Sequence, residues 1–127
     1  MSSMMSNQMT TTLNLVVITA GNIGASLAFY EGLGLKLTLE RHGSGPDHYA
    51  AVCEGGLVFE LHPASERRRV SEVRLGFSVT SIDRVLECIA GTGGSVAVPA
   101  KHGQWGLRAT LNDPDGNKVD IVQRNAT

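Results

Sequence analysis

Residues 16–37 read VVITAGNIGASLAFYEGLGLKL, and residues 75–96 read LGFSVTSIDRVLECIAGTGGSV. A shift of 59 lays Ile23 on Ile82, Leu27 on Leu86, Tyr30 on Ile89, Gly32 on Gly91 and Gly34 on Gly93. A shift of 60 lays Leu57-Val58-Phe59-Glu60-Leu61 on Asn117-Lys118-Val119-Asp120-Ile121. The chain therefore contains one unit twice. A repeated unit can pair with its copy about a pseudo-two-fold axis, which brings equivalent positions together. Those positions are the first place to look for chemistry.

Each copy opens on an apolar, β-branched strand, Leu13 to Ala20 and Glu72 to Thr80. Asn22 and Ser81 then stand as helix N-caps. Ile23, Leu27, Tyr30 and Leu33 recur at helical spacing, as do Ile82, Val85, Leu86 and Ile89. Glycines end both helices. Strands over 35–41, 48–54 and 57–62 complete the first copy, with Gly55-Gly56 as a tight hairpin turn. Strands over 95–100, 105–112 and 117–123 complete the second. Lys101 to Gln104 is read as a loop, and Asp113-Pro114-Asp115-Gly116 has the composition of a type I turn. The expected fold is α+β: two βαβββ modules forming a curved mixed sheet, an incomplete barrel, with helices on its convex side. The organisation is a mobile tail (1–12), a first module (13–62), a connector (63–71) and a second module (72–127), together one structural domain.

The bulk numbers narrow the function. Eleven basic against twelve acidic side chains leave a formal charge of -1, which gives no electrostatic case for nucleic acid or an anionic membrane. Arg67-Arg68-Arg69 sits in a polar stretch and reads as a solvated connector. Cys53 and Cys88 have neither disulfide-framework nor metal-site spacing, which suits reduced thiols in a cytoplasm. The opening MSSMMSNQMTTT lacks the basic start and apolar core of a secretory signal. No apolar run approaches the roughly 18 residues of a membrane span.

Alternation sorts each strand into two faces. Leu75, Phe77 and Val79 form the apolar face that covers the helix, leaving Arg74, Gly76 and Ser78 on the open one. By the same rule Glu60 and His62 share the open face of the fourth strand, and Lys118, Asp120 and Val122 that of the eighth. The shift of 59 puts Leu15 where Arg74 stands. If the copies share one concave face, Leu15, Glu60, Arg74 and Asp120 converge.

The chain resembles the vicinal oxygen chelate superfamily, which includes glyoxalase I, bleomycin-resistance proteins and extradiol dioxygenases. The resemblance rests on Ser26-Leu27-Ala28-Phe29-Tyr30 followed by Leu33-Gly34-Leu35, and on Trp105-Gly106 leading into Asp113-Pro114-Asp115-Gly116-Asn117. It implies the fold far more firmly than a reaction, because this fold hosts many chemistries. Metal-using members place a His, Gln or Glu ligand near each of the four converging positions. Here Glu60 keeps the usual type and Asp120 is one methylene short. Leu15 has no lone pair, and Arg74 is a donor-only cation. The expectation is therefore a lost metal site, no metal and no cofactor. Arg74 either pairs with Glu60 and Asp120 in a partly dry cavity or grips an anionic ligand group.

Other candidates are weighed against plain structural roles. His62 shares a face with Glu60 and could ligate or act as a base, against a rim position at a strand end. His42, His48 and His102 lie in or beside polar turns and are read as solvated. Trp105, the single tryptophan, could stack on a flat ligand or close the barrel end. Arg108 and Thr110 share a strand face and join the cavity if that face is open. Cys88 lacks a His or Asp neighbour in helical register and reads as filler. The leading expectation is a metal-free, small-molecule-binding homodimer whose cavity the partner chain completes. The ligand-binding set is Glu60, Arg74, Asp120, His62, Trp105 and Arg108. The alternative is a lyase, isomerase or dioxygenase. It would use Glu60, Asp120 and His62 with a metal, or Arg74 with a carboxylate without one. Glu60 and Asp120 are then the catalytic candidates. The ligand's identity stays open.

Overall fold

The computed structural model of the chain describes residues 9–41 and 43–124. Its elements run β1 (Leu15–Ala20), α1 (Ile23–Gly32), β2 (Thr38–Glu40), β3 (His48–Val52) and β4 (Val58–Pro63). The same order then repeats as β5 (Arg74–Ser78), α2 (Ile82–Ile89), β6 (Ser95–Gly103), β7 (Gly106–Asn112) and β8 (Lys118–Gln123). They build two four-stranded mixed sheets, ordered β1-β4-β3-β2 and β5-β8-β7-β6. In each, the opening strand lies parallel to the closing one and the other pairs are antiparallel. The α+β reading and the doubled βαβββ order are thus observed. Most of the tail, and His42, lie outside the described residues.

Both helices start where the sequence places their caps. Asn22 Oδ1 accepts the Ala25 N–H at 3.0 Å, and Ser81 Oγ accepts the Arg84 N–H at 3.2 Å. The buried stripe of α2 is Ile82, Val85 and Ile89, as its periodicity predicts. That of α1 is rotated from the expected one. Ser26, Phe29 and Tyr30 are buried, while Ile23 and Leu27 are only partly covered. The reason is that α1 packs against the second module as well as its own sheet. A Cβ on Gly94 would sit 2.3 Å from the Phe29 ring, so only glycine lets that ring in. Tyr30 is tilted against Phe59, with ring centroids 5.1 Å apart, and its hydroxyl donates to Asp113 Oδ2 at 2.7 Å, 83 residues away. Burial is the main cause that pushes the Tyr30 hydroxyl pKa far up, with the Asp113 bond adding to it. The two stretches that carry the family resemblance therefore touch each other.

The two β-hairpin turns equivalent under the shift of 60 make the same backbone hydrogen bonds, although Gly55 has positive φ and its equivalent Asp115 does not. Gly56 N–H donates to Cys53 C=O and Gly116 N–H to Asp113 C=O, both at 2.9 Å. Cys53 N–H reaches Leu57 C=O at 2.7 Å, and Asp113 N–H reaches Asn117 C=O at 2.9 Å. The first turn thus spans Glu54, Gly55 and Gly56, one residue longer than a two-residue Gly55-Gly56 turn. Gly55 and Gly56 take φ of +92° and +100°, which side chains resist. A second correction concerns Lys101 and His102. They lie in β6 rather than a loop, paired with Arg108 and Leu107. Register shifts between Val96 and Lys101 absorb the mismatch and let the strand continue.

Candidate functional site

The open faces carry two polar clusters, one in each sheet. The first is built on the β3–β4 hairpin. Tyr49 faces Leu61 and Ala50 faces Glu60, so His48 lies across from His62 on the side chains' shared face. The two imidazoles stack with centroids 4.3 Å apart and planes 9° apart. Arg68 from the connector lies 2.7 Å from His62 Nδ1. An arginine can only donate, which assigns the His62 proton to Nε2. That Nε2–H donates to Glu60 Oε1 at 2.8 Å. His48 Nε2 lies 3.2 Å from Glu40 Oε1 on β2 and 3.8 Å from Glu60 Oε1. The His48 side chain is only 9% exposed, against 13% for His62 and 21% for Glu60.

The second cluster spans β5, β8 and β7. Arg74 Nε and Nη2 donate to Asp120 Oδ2 and Oδ1 at 2.7 and 2.9 Å, a two-pronged ion pair. Thr110 Oγ1 donates to Asp120 Oδ1 at 2.7 Å. The Arg74 bond is the largest cause holding the Asp120 carboxyl below its usual range, with the Thr110 bond and the Arg108 charge acting the same way. Asp120 in turn raises the Arg74 guanidinium pKa. The Arg74 side chain is 64% exposed, so this pair is wet.

Two expectations are corrected here. Arg74 has two alternatives in the sequence reading, pairing with both Glu60 and Asp120 in a partly dry cavity or gripping an anionic ligand group, and it meets the first only in part. It pairs with Asp120 alone, in solvent. Among the described residues no hydrogen bond or ion pair joins Glu60 to Arg74, because they stand on different sheets. His48 was read as solvated and is buried. The cause is register. A two-residue Gly55-Gly56 turn would place Tyr49 near His62, and a one-residue slip moves every side chain to the other face. The three-residue turn makes His48 the partner of His62.

The remaining candidates sit as follows. Arg108 and Thr110 share the open face with Asp120 and Val122. Trp105 is exposed at the β6–β7 turn and does not close a barrel end. Leu15, beside Val58 at the edge of the first sheet, is half exposed. Both thiols are free, and burial pushes the Cys53 pKa up. A groove of about 1020 Å³ runs past the C-terminal end of α1, the β3–β4 turn and β5, but none of Glu60, Arg74 and Asp120 lines it.

The doubled fold can now be set beside known proteins. A family model of the Glyoxalase/Bleomycin resistance protein/Dioxygenase superfamily matches residues 12–121. The chain belongs to that superfamily. It is 28% identical over 105 residues to an uncharacterised protein of Mycolicibacterium smegmatis, covering 83% of this chain and 87% of that protein. In structure it is similar to the oxidase ChaP-H2, with a TM-score of 0.70 at 20% identity over 92% of this chain and 96% of that one. It is also similar to TnmS3, an antibiotic-binding protein from Streptomyces sp. CB03234. There the TM-score is 0.68 at 19% identity, over 94% of this chain and 100% of that one. These likenesses establish the fold of the superfamily member and not its reaction.

Membership makes a test of the implied metal possible. At the four positions expected to converge, Leu15, Arg74, Glu60 and Asp120, the chain offers a hydrocarbon, a guanidinium and two carboxylates. Both Asp120 oxygens are engaged by Arg74, and one also by Thr110. Arg74 cannot release a proton to become a ligand. A metal at this position does not fit these residues.

Proposed function

We propose that this superfamily member is a small-molecule-binding protein of the glyoxalase/bleomycin-resistance type, working without a metal at the four-strand position. The Arg74–Asp120 pair is the observation that carries this reading. It fixes a cation where relatives with a ligand set would hold one. Two of its five N–H groups go to Asp120, and three are left for a ligand carboxylate or phosphate. Its exposure lets a ligand reach it. Glu60, His62, Arg108 and Trp105 extend the binding surface. A second copy of the chain completes the cavity, setting its Arg74–Asp120 sheet opposite the His62–Glu60 sheet of the first. That arrangement would supply the convergence that the single chain lacks. The setting proposed is a reducing cytoplasm. No helix among the described residues is long and apolar enough to cross a membrane.

A second reading draws on the Glu60–His62 bond. A carboxylate joined to an imidazole, with Arg68 on the other ring nitrogen, can take up and return a proton. That would suit a lyase, isomerase or dioxygenase of the same superfamily.

Fluorescence of Trp105 separates the two. EDTA-treated protein is titrated with bleomycin and with a set of aromatic antibiotics. The binding reading expects saturable quenching by at least one of them, with the compound recovered unchanged. Arg74→Ala should weaken it about tenfold, the worth of one charge-assisted contact. Light scattering should give twice the 13.5 kDa chain mass. Conversion of the bound compound, or binding that appears only on adding a metal, overturns the reading.

A further inference from the structure

We propose that the first sheet carries a transition-metal site formed by His48, Glu60 and His62, sharing only Glu60 with the Leu15, Glu60, Arg74 and Asp120 positions and reaching beyond the binding function above. Three features of the fold make it. Glu60 and His62 are two apart on β4, so they share a face, and His48 is the cross-strand neighbour of His62. The three offer two ring nitrogens and one carboxylate oxygen, all within 4.8 Å of one another. His48 is buried and the other two are half-buried, so bulk water does not dominate the site.

The distances are near those of a coordination shell. Ligand atoms around a tetrahedral zinc stand about 3.4 Å apart, given bonds of about 2.0–2.1 Å. Glu60 Oε1 lies 2.8 Å from His62 Nε2 and 3.8 Å from His48 Nε2. The two rings are stacked nearly parallel, so one imidazole must turn out of the stack to another rotamer before both lone pairs point at one ion. Two imidazoles and a carboxylate suit zinc, cobalt, nickel or ferrous iron rather than calcium or magnesium. Glu40 stands beside His48 as a further oxygen. Once Arg68 has swung away, the Glu40 and Glu60 carboxylates beside the imidazoles favour a divalent ion.

The proton inventory makes the proposal specific. Without metal, the His62 proton is on Nε2, facing Glu60, while Nδ1 accepts from Arg68. A metal takes the Nε2 lone pair, so the ring proton moves to Nδ1. Arg68 cannot accept it and must leave. Its contact is at the surface, so the side chain can swing away into water. Arg68 therefore competes with the ion, and removing it should favour binding.

The test uses the full chain, stripped with EDTA and titrated with Co²⁺ by visible absorption and with Zn²⁺ by calorimetry. One ion per chain is expected, with the d–d bands of a low-coordinate cobalt centre. His62→Ala and Glu60→Gln should each weaken binding at least tenfold, since even outer partners of metal ligands are worth about that much. Arg68→Ala should tighten it severalfold, and Asp83→Asn, exposed on α2, should leave it unchanged. Circular dichroism checks that each variant is folded. No uptake by the wild type, equal affinity in His62→Ala, or loss in Asp83→Asn each overturns the proposal. Antibiotic binding by EDTA-treated protein is read separately, so failure here does not touch that function.

Discussion

One backbone is furnished in two ways. Under the shift of 60, His48, Glu60 and His62 of the first module fall on Arg108, Asp120 and Val122 of the second. The pairing is the same, Ala50 to Glu60 in one sheet and Thr110 to Asp120 in the other. Yet the first carboxylate lies between two imidazoles, and the second is locked to a guanidinium. The turns diverge likewise. Cys53 and Asp113 make matching backbone bonds, but only Asp113 holds a network. Its Oδ1 accepts from the Asp115 and Asn117 N–H groups, and its Oδ2 from Tyr30 and the Asn117 amide. Duplication preserved the hydrogen-bond register. The side chains on it then took separate tasks: one turn ties the halves together, and each open face keeps its own chemistry.

The sharpest way to break this comparison is at the turns. Asp113→Ala strands a buried tyrosine hydroxyl and several N–H donors, and should cost about 3 kcal/mol or more. Cys53→Ala should cost under about 1 kcal/mol. Denaturant melts of the two variants would show equivalent costs if the turns were truly alike. The next contrast is on the open faces. His48→Ala removes a buried, stacked ring and should destabilise by about 1–3 kcal/mol. Its counterpart Arg108→Ala is exposed and should stay within about 0.5 kcal/mol. The smallest effect is electrostatic. Arg74 holds the Asp120 carboxyl low, so the pair stabilises the fold above the unfolded aspartate pKa of about 3.9. That contribution fades as pH falls through the lower folded value. Wild type and Arg74→Ala should therefore differ slightly at neutral pH and converge in acid. Melting curves between those limits check the sign, and a gap that widened in acid would contradict it. The effect is small because the arginine is solvated.

Much of the fold was legible because it is written twice. The two N-caps, the glycine helix ends and the inward faces of β4, β5 and β8 all follow from local periodicity and match the structure. The part of α1's buried face made by Ser26 and Phe29 was not legible, because Phe29 packs at Gly94 in the other module, whereas Tyr30 and Leu33 are buried as their spacing predicts. At the site, the Glu60–His62 and Arg74–Asp120 groupings could be approached from strand alternation. His48 could not, since its place turns on one residue of turn length. Cys53 and Leu57, not Gly55 and Gly56, set that register, and the shift from Asp113 to Asn117 was the available clue. Arg68 was missed because a connector arginine has no periodicity to betray its return to His62.

The bond from Tyr30 to Asp113 has a consequence in time. During synthesis the first 63 residues can leave the ribosome with all of their strands in place, but the tyrosine's acceptor and Gly94's hollow for Phe29 are still unmade. The early half can pack Tyr30 on Phe59, but the Phe29 side stays unsealed and the Tyr30 hydroxyl unpaired until the second module arrives. Closure over such a sequence distance is slow relative to local folding. A half-product with that side bare is prone to sticking, and the Asp113 turn is the latch that ends the exposure.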